Sequence, residues 1–262
     1  DITSFKTRSM PCRQSWSQIA CMCLAVLAEN GDVYQSVDHP NFWNQVYKLQ
    51  TERDIYEWYG LSYDRLRPYF VDALVDALVY STHSMPSKLL VVGSGDSALS
   101  AELASEALLE EWKIVSIDFS SEVTDRMRLR FPELTFLTMD ARKLDFVDAS
   151  YGAIVDKGLS DCIGSLTARQ QYFQELRRVV VDGGKLLVVS QRRLQTEQDQ
   201  NDEEDESDLG PHWICRREEL LGALFVENDP RRPPFPQPGT DHTIPYFLLI
   251  CTADSKSVKE QI

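Results

Sequence analysis

The sequence predicts an α/β protein built on an open, doubly wound, mostly parallel sheet with helices on both faces. Three observations carry this reading. From residue 88 onward, short apolar runs alternate with helix-length amphipathic stretches, the pattern of parallel strands joined by crossover helices. The first apolar run ends in a glycine corner, Gly93-Ser94-Gly95, and three later runs end in an acid: Asp118, Asp140 and Asp156. Ligands of such sheets bind beyond the carboxyl ends of the strands. These four tips therefore predict one crevice.

The elements follow in order. Residues 40–60 are dense in aromatics. Phe42, Trp43, Val46 and Tyr47 have helical spacing, and Tyr56, Trp58 and Tyr59 crowd before Gly60, a helix stop. In residues 62–80, Leu66, Phe70, Leu74 and Leu78 recur at a four-residue step behind a capping Ser62. Strands are predicted at 88–92, 113–117, 134–139, 151–155, 185–190 and 244–252. Helices are predicted at 98–111, 120–130, 168–180 and 216–225. Pro132 closes the second of these helices. Asp182-Gly183-Gly184 reads as a turn, and the proline-rich stretch 233–239 as a loop.

Composition bounds the function. The chain has 262 residues, 27 Lys+Arg and 41 Asp+Glu, for a formal net charge of -14. With 43% hydrophobic residues it can bury a sizeable core. The acidic balance argues against nucleic acid as a partner, since the phosphate backbone would be repelled. More than half of the net charge lies in residues 197–208, with eight acids and no base. That run reads as a solvated insertion able to steer a basic protein surface. The six cysteines form no CxxC pair and the four histidines do not join them. Neither a disulfide nor a metal site is expected, and a reducing compartment is the plain reading.

Residues 1–39 form an N-terminal extension, and 40–262 a single domain with an aromatic helical lid at 40–80. No apolar run reaches the ~18–20 residues of a membrane span. Lys6, Arg8 and Arg13 precede an apolar stretch from Ile19 to Ala28. This segment reads as a signal peptide, a mitochondrial presequence or a helix packed on the domain. Cytosol is expected, with the mitochondrion as the alternative.

At the crevice, Gly93 and Gly95 permit a tight turn and close approach of a ligand. The helix after them favours an anionic group. Asp118 is placed to accept hydrogen bonds from ribose hydroxyls, and Asp140 to meet an adenine amine. The stretch from Gly93 to Ala98 also satisfies a dinucleotide fingerprint, with Asp118 about 20 residues on. A nicotinamide-dependent oxidoreductase is thus a legitimate local reading. Against it stand Asp96, which would face a pyrophosphate, and the lack of a second mononucleotide half after residue 160.

The residues also resemble a known family. Residues 90–100, LVVGSGDSALS, are similar to the first motif of class I, seven-stranded S-adenosylmethionine-dependent methyltransferases. Residues 139–146 and 153–158 resemble one branch of it, the eukaryotic lysine methyltransferases that modify translation elongation factor 1A and mitochondrial citrate synthase. The elongation-factor enzymes are the most similar. The likeness covers about residues 40–190 and implies a Rossmann-like seven-stranded fold and S-adenosylmethionine as cofactor. It implies that Trp43, Tyr47, Trp58 and Gly95 contact that cofactor, with Gly93 beneath its amino-acid end. Asp118 and Phe119 would hold its ribose and adenine edge, Asp140 and Ala141 would flank the adenine, and Lys157 would reach the site from the fourth strand. Departures are Val46 where the family has arginine, Ser94 for cysteine, Asp96 for asparagine, and Gly158-Leu159-Ser160-Asp161 for Gly-Thr-Leu-Asp.

The implied activity is methyl transfer to a protein lysine, with no metal and with Asp156 or Asp161 orienting the amine. A methyltransferase for a small amine and a catalytically silent cofactor-binding module are the alternative readings.

Overall fold

A computed structural model describes residues 37–48, 57–80, 86–199, 207–223 and 243–254. The residues read as a targeting segment, the middle of the acidic run, Tyr56 and the proline-rich loop lie outside these. Helices α1 (Pro40–Lys48) and α2 (Tyr63–Tyr80) come first, with a 3-10 turn at Trp58–Gly60. Then follow β1 (Lys88–Val92), α3 (Leu99–Ser105), β2 (Lys113–Asp118), α4 (Ser121–Arg130), β3 (Thr135–Thr138) and β4 (Tyr151–Lys157). The chain continues through α5 (Leu159–Cys162), α6 (Leu166–Val179), β5 (Val180–Ser190), β6 (Trp213–Ala223) and β7 (Thr243–Ala253).

The seven strands form one sheet in the order β3-β2-β1-β4-β5-β7-β6. Strands β1 to β5 pair in parallel, while β7 runs antiparallel to both β5 and β6. Strand order reverses between β1 and β4, and there the carboxyl tips open a crevice.

Alternate residues of each central strand feed two cores. On one face, Leu89, Val91, Ala153, Val155, Leu187 and Val189 pack with Leu66, Phe70 and Leu74 of α2. On the other, Leu90, Val92, Ile154, Leu186 and Val188 pack with Tyr172, Phe173 and Leu176 of α6. The middles of the central strands are largely apolar because helices cover both faces. Truncating one of these fully buried leucines to alanine would cost about 2–5 kcal/mol.

Four expectations change. Residues 216–223 are strand, not helix: β6 pairs with β7 over its full length from Trp213 to Ala223. Its Arg-Arg-Glu-Glu run reads as helical by propensity, but tertiary pairing at a sheet edge decides. The same pairing sets Cys215 opposite Cys251, and the two form a disulfide 36 residues apart in sequence. This overturns the expectation of no disulfide, and with it the cysteine argument for a reducing compartment. Helix α3 ends at Ser105, before a 3-10 turn at Ala107–Leu109, because Glu106 turns extended and pairs with Arg67 of α2 at 2.6 Å. The glycine turn at 182–184 is absorbed into β5 as a bulge, where register shifts between Tyr151 and Ala153.

The ends of the acidic run are anchored rather than solvated. Asp199 takes two hydrogen bonds from Arg217, at 2.9 and 2.8 Å. Asp208 accepts from Arg169 at 2.8 Å and from the Gln195 amide at 2.8 Å.

Candidate functional site

The glycine corner forms the floor of the crevice. Gly93 has φ +59° and Gly95 φ +53°, a region that side chains disfavour. A Cβ on Gly93 would lie 2.7 Å from Leu159 Cβ, and one on Gly95 2.9 Å from the Tyr47 hydroxyl. The corner is therefore closed to any larger residue. The Gly95 amide donates to Asp118 Oδ2 at 3.0 Å, and the Ser120 amide donates to Oδ1 at 2.9 Å. Asp118 is buried at the tip of β2. Burial, helped by nearby Asp96, pushes its carboxyl up to about 6 against the pull of those amides.

One pocket opens above this floor, with an empty volume of about 730 Å³ that includes its open mouth. Nine of the ten expected cofactor-contact residues line it: Trp43, Tyr47, Trp58, Gly93, Asp118, Phe119, Asp140, Ala141 and Lys157. Gly95 lies just behind the wall, against Tyr47 and Trp58. The aromatic wall is ordered by contacts of its own. The Trp43 indole N–H donates to the Val37 carbonyl at 2.9 Å, and Trp43 meets Trp58 edge-on at 6.1 Å. Arg126 of α4 donates to the Tyr47 carbonyl at 2.6 Å, fixing the end of α1. Phe42 is fully buried and belongs to the core.

At the opposite end, Asp140 is engaged by its neighbour. Arg142 Nη2 lies 2.8 Å from Oδ2 and Nε 3.0 Å from Oδ1, while the Arg142 amide also donates to Oδ1 at 2.9 Å. Half-burial alone would raise the Asp140 carboxyl, but the Arg142 hydrogen bonds outweigh it and hold the group below its ordinary range. The same guanidinium donates to the Asp38 carbonyl at 3.2 Å, tying the lid segment to the β3 loop.

Asp156 and Asp161 do not reach the pocket. Asp156 is fully buried and accepts the amides of Leu159 and Ser160, at 2.8 and 3.1 Å, and the Tyr172 hydroxyl at 3.0 Å. It secures the start of α5, and burial raises its carboxyl to about 7. Asp161 accepts the hydroxyls of Tyr59 and Ser190 and the Gln191 amide. Burial raises its carboxyl as well. Both acids are buried and engaged by donors of the protein itself, and neither lines the pocket.

The sequence reading passed over Val37, Asp38, Met139, Arg142, Gly158, Leu159, Cys162 and Ile163, all of which line the pocket. It also passed over Glu57. The Arg142 signal was available: an arginine two residues after a strand-end acid can fold back on it. The Glu57 contacts join segments 40 and 100 residues apart, which no local pattern encodes. Among the described residues, no group of three or more His, Cys, Asp and Glu could hold a metal ion. Among them, too, no helix is long and apolar enough to cross a membrane.

Residues 89–184 match the family described as a methyltransferase domain. The chain matches this family over the segment from β1 into β5. It is 31% identical over 161 residues to the eEF1A lysine and N-terminal methyltransferase of Xenopus laevis, covering 58% of this chain and 21% of that protein. It is 28% identical over 179 residues to EEF1A lysine methyltransferase 4 of Mus musculus, covering 63% of this chain and 64% of that protein. The chain thus spans only part of these relatives, about a fifth of the first. A solved structure described as "Conversion of a Disulfide Bond into a Thioacetal Group during Echinomycin Biosynthesis" shares the fold. Its TM-score is 0.55 at 15% identity, over 84% of this chain and 94% of that one.

Proposed function

We propose that this protein transfers a methyl group from S-adenosylmethionine to a lysine side chain of a protein with a basic surface, a translation elongation factor being the leading candidate. One observation carries the reading: residues from the lid, the glycine corner and the tips of β2, β3 and β4 line a single pocket of nucleoside size. The residues fit the cofactor's chemistry. Gly93 offers a floor free of side chain. The buried Asp118 carboxylate suits a ribose diol. Phe119, Met139, Ala141 and Ile163 suit a flat adenine, and the Trp43, Tyr47 and Trp58 faces suit a sulfonium cation. The relatives' names support lysine as the acceptor.

When bound, S-adenosylmethionine supplies a methyl group on a sulfonium, already a good leaving group. The protein's share is alignment and exclusion of water. A lysine amine must arrive neutral, and an aromatic, largely apolar wall lowers its pKa by desolvation. With Asp156 and Asp161 committed elsewhere, no carboxylate is assigned as general base.

Thermal shift with S-adenosylmethionine, S-adenosylhomocysteine and NAD tests the reading. Stabilisation by the first two is expected. Stabilisation by NAD alone would favour the oxidoreductase reading.

A further inference from the structure

Around the pocket, each carboxylate has a different partner. Asp118 accepts backbone amides, Asp140 holds Arg142, and Asp156 and Asp161 lie behind the wall. Glu57 meets a cation. Its Oε2 lies 2.5 Å from Lys157 Nζ, while Oε1 accepts the Ala98 amide at 2.8 Å and the Ser97 hydroxyl at 2.9 Å. The Lys157 side chain is 5% exposed and the Glu57 side chain 21%. Glu57 binds Ser97 and Ala98 just after the glycine corner, so its ion pair with Lys157, which lines the pocket, lies at that end.

The residue after Glu57 lines the pocket, and the one after that is held hard. Tyr59 has φ +70°, a conformation disfavoured for a bulky side chain. Its ring packs against Tyr246 at 4.5 Å, tilted by 33°, and its hydroxyl donates to Asp161. This anchored turn presents Glu57 and Trp58 to the crevice together.

We propose that the Glu57–Lys157 ion pair receives the zwitterionic amino-acid end of the methyl donor, and that Glu57 sets the preference for the cationic donor over its neutral product. The inference rests on the cofactor reading above. A methyl donor of this kind has a flat, apolar base at one end and an ammonium and a carboxylate at the other. Phe119, Met139, Ala141 and Ile163 line the pocket together with the Asp140–Arg142 pair, while Lys157 lines it with its ammonium on Glu57, beside Ser97 and Ala98. The apolar group suits the flat base, with Asp140 facing its amine, which assigns the amino-acid end to Glu57 and Lys157. An ammonium has three N–H donors, and Glu57 engages one, so Lys157 can also serve a ligand carboxylate. The Glu57 carboxylate balances Lys157 and leaves the site without excess positive charge. Removing it would leave the buried Lys157 cation near the sulfonium with only the more distant Glu102 of α3 to offset it, and that repulsion acts on S-adenosylmethionine but not on S-adenosylhomocysteine.

Three ligands separate these effects by calorimetry on wild type and Glu57→Gln: S-adenosylmethionine, S-adenosylhomocysteine, and 5′-methylthioadenosine, which has no amino acid. For Glu57→Gln the expected losses of affinity are about tenfold, about threefold and less than about twofold, in that order. Glu57→Asp, which keeps the charge, should recover most of the donor's affinity. The thermal midpoint of each unliganded variant shows that it folds. Equal losses for all three ligands would mean that Glu57 only helps fold the lid, and would overturn the proposal, as would an unchanged affinity for the donor. If wild type bound none of the three, the cofactor reading itself would fall and take this inference with it.

Discussion

The Gly95 amide donates to Asp118 Oδ2 at 3.0 Å, joining the turn after β1 to the tip of β2 across 23 residues of sequence. This contact ties the pocket floor to its central acid and pulls against the burial that raises that acid. Its consequences can be measured.

Asp118 is raised by burial to about 6, so in the unliganded protein it gains its negative charge as pH rises through that value. The unfolded carboxyl ionises near 3.8, so the favourable contribution of its proton to folding is complete below that pH and lost as pH rises through about 6. Cofactor binding should show the opposite trend. The ionised form is the better acceptor for ribose hydroxyls, so affinity for S-adenosylhomocysteine should fall as pH drops below about 6. Asp118→Asn should weaken binding at pH 8 and flatten the profile. Calorimetry from pH 5 to 8 checks both.

Gly93→Ala combines a strained φ with a Cβ placed 2.7 Å from Leu159 Cβ. A loss of about 1–3 kcal/mol in stability is expected from the backbone alone. Adding Leu159→Gly removes the Cβ contact but not the strain at position 93, so the double variant should recover only part of the lost ligand affinity. Full recovery would show that φ is not limiting here.

Arg142→Ala releases both Asp140 and the Asp38 carbonyl. Affinity for the adenosine ligands should fall about tenfold, and Arg142→Lys should restore little, because the planar two-pronged contact is lost. Titration of 5′-methylthioadenosine against the three proteins decides.

Tyr59→Phe deletes the hydroxyl that donates to the buried Asp161. Asp161 keeps Ser190 and Gln191 as donors, so the expected loss is moderate, about 1–2 kcal/mol in urea denaturation. A change under ~0.3 kcal/mol would show that the remaining donors suffice.

The Cys215–Cys251 disulfide closes a loop with a sequence separation of 36. Its reduction should lower stability by up to about 4 kcal/mol in the loop-entropy account. Thermal melting with and without a reductant measures this, and Cys251→Ser should abolish the difference.

The sequence made the sheet legible wherever both faces are covered. In β1, β2, β4 and β5, largely apolar runs leave little choice of element; of their tips Gly93 and Asp118 line the pocket, while Asp156, expected there too, does not. It failed at β6, where charged residues with good helix propensity sit on an edge strand and only β7 reveals their pairing. The acid tips were legible as positions but not as roles. Asp156 looked equivalent to Asp118, yet the turn into α5 directs two amides and Tyr172 onto it. Glu57 was invisible because its partners lie 40 or more residues away.

Transfer of labelled methyl from S-adenosylmethionine into proteins of a cell lysate, followed by peptide mapping, tests the central claim most directly. Label on lysine, lost in Asp118→Ala, is the predicted result. Label confined to another residue type, or none from a wild-type protein that binds the donor, would contradict it.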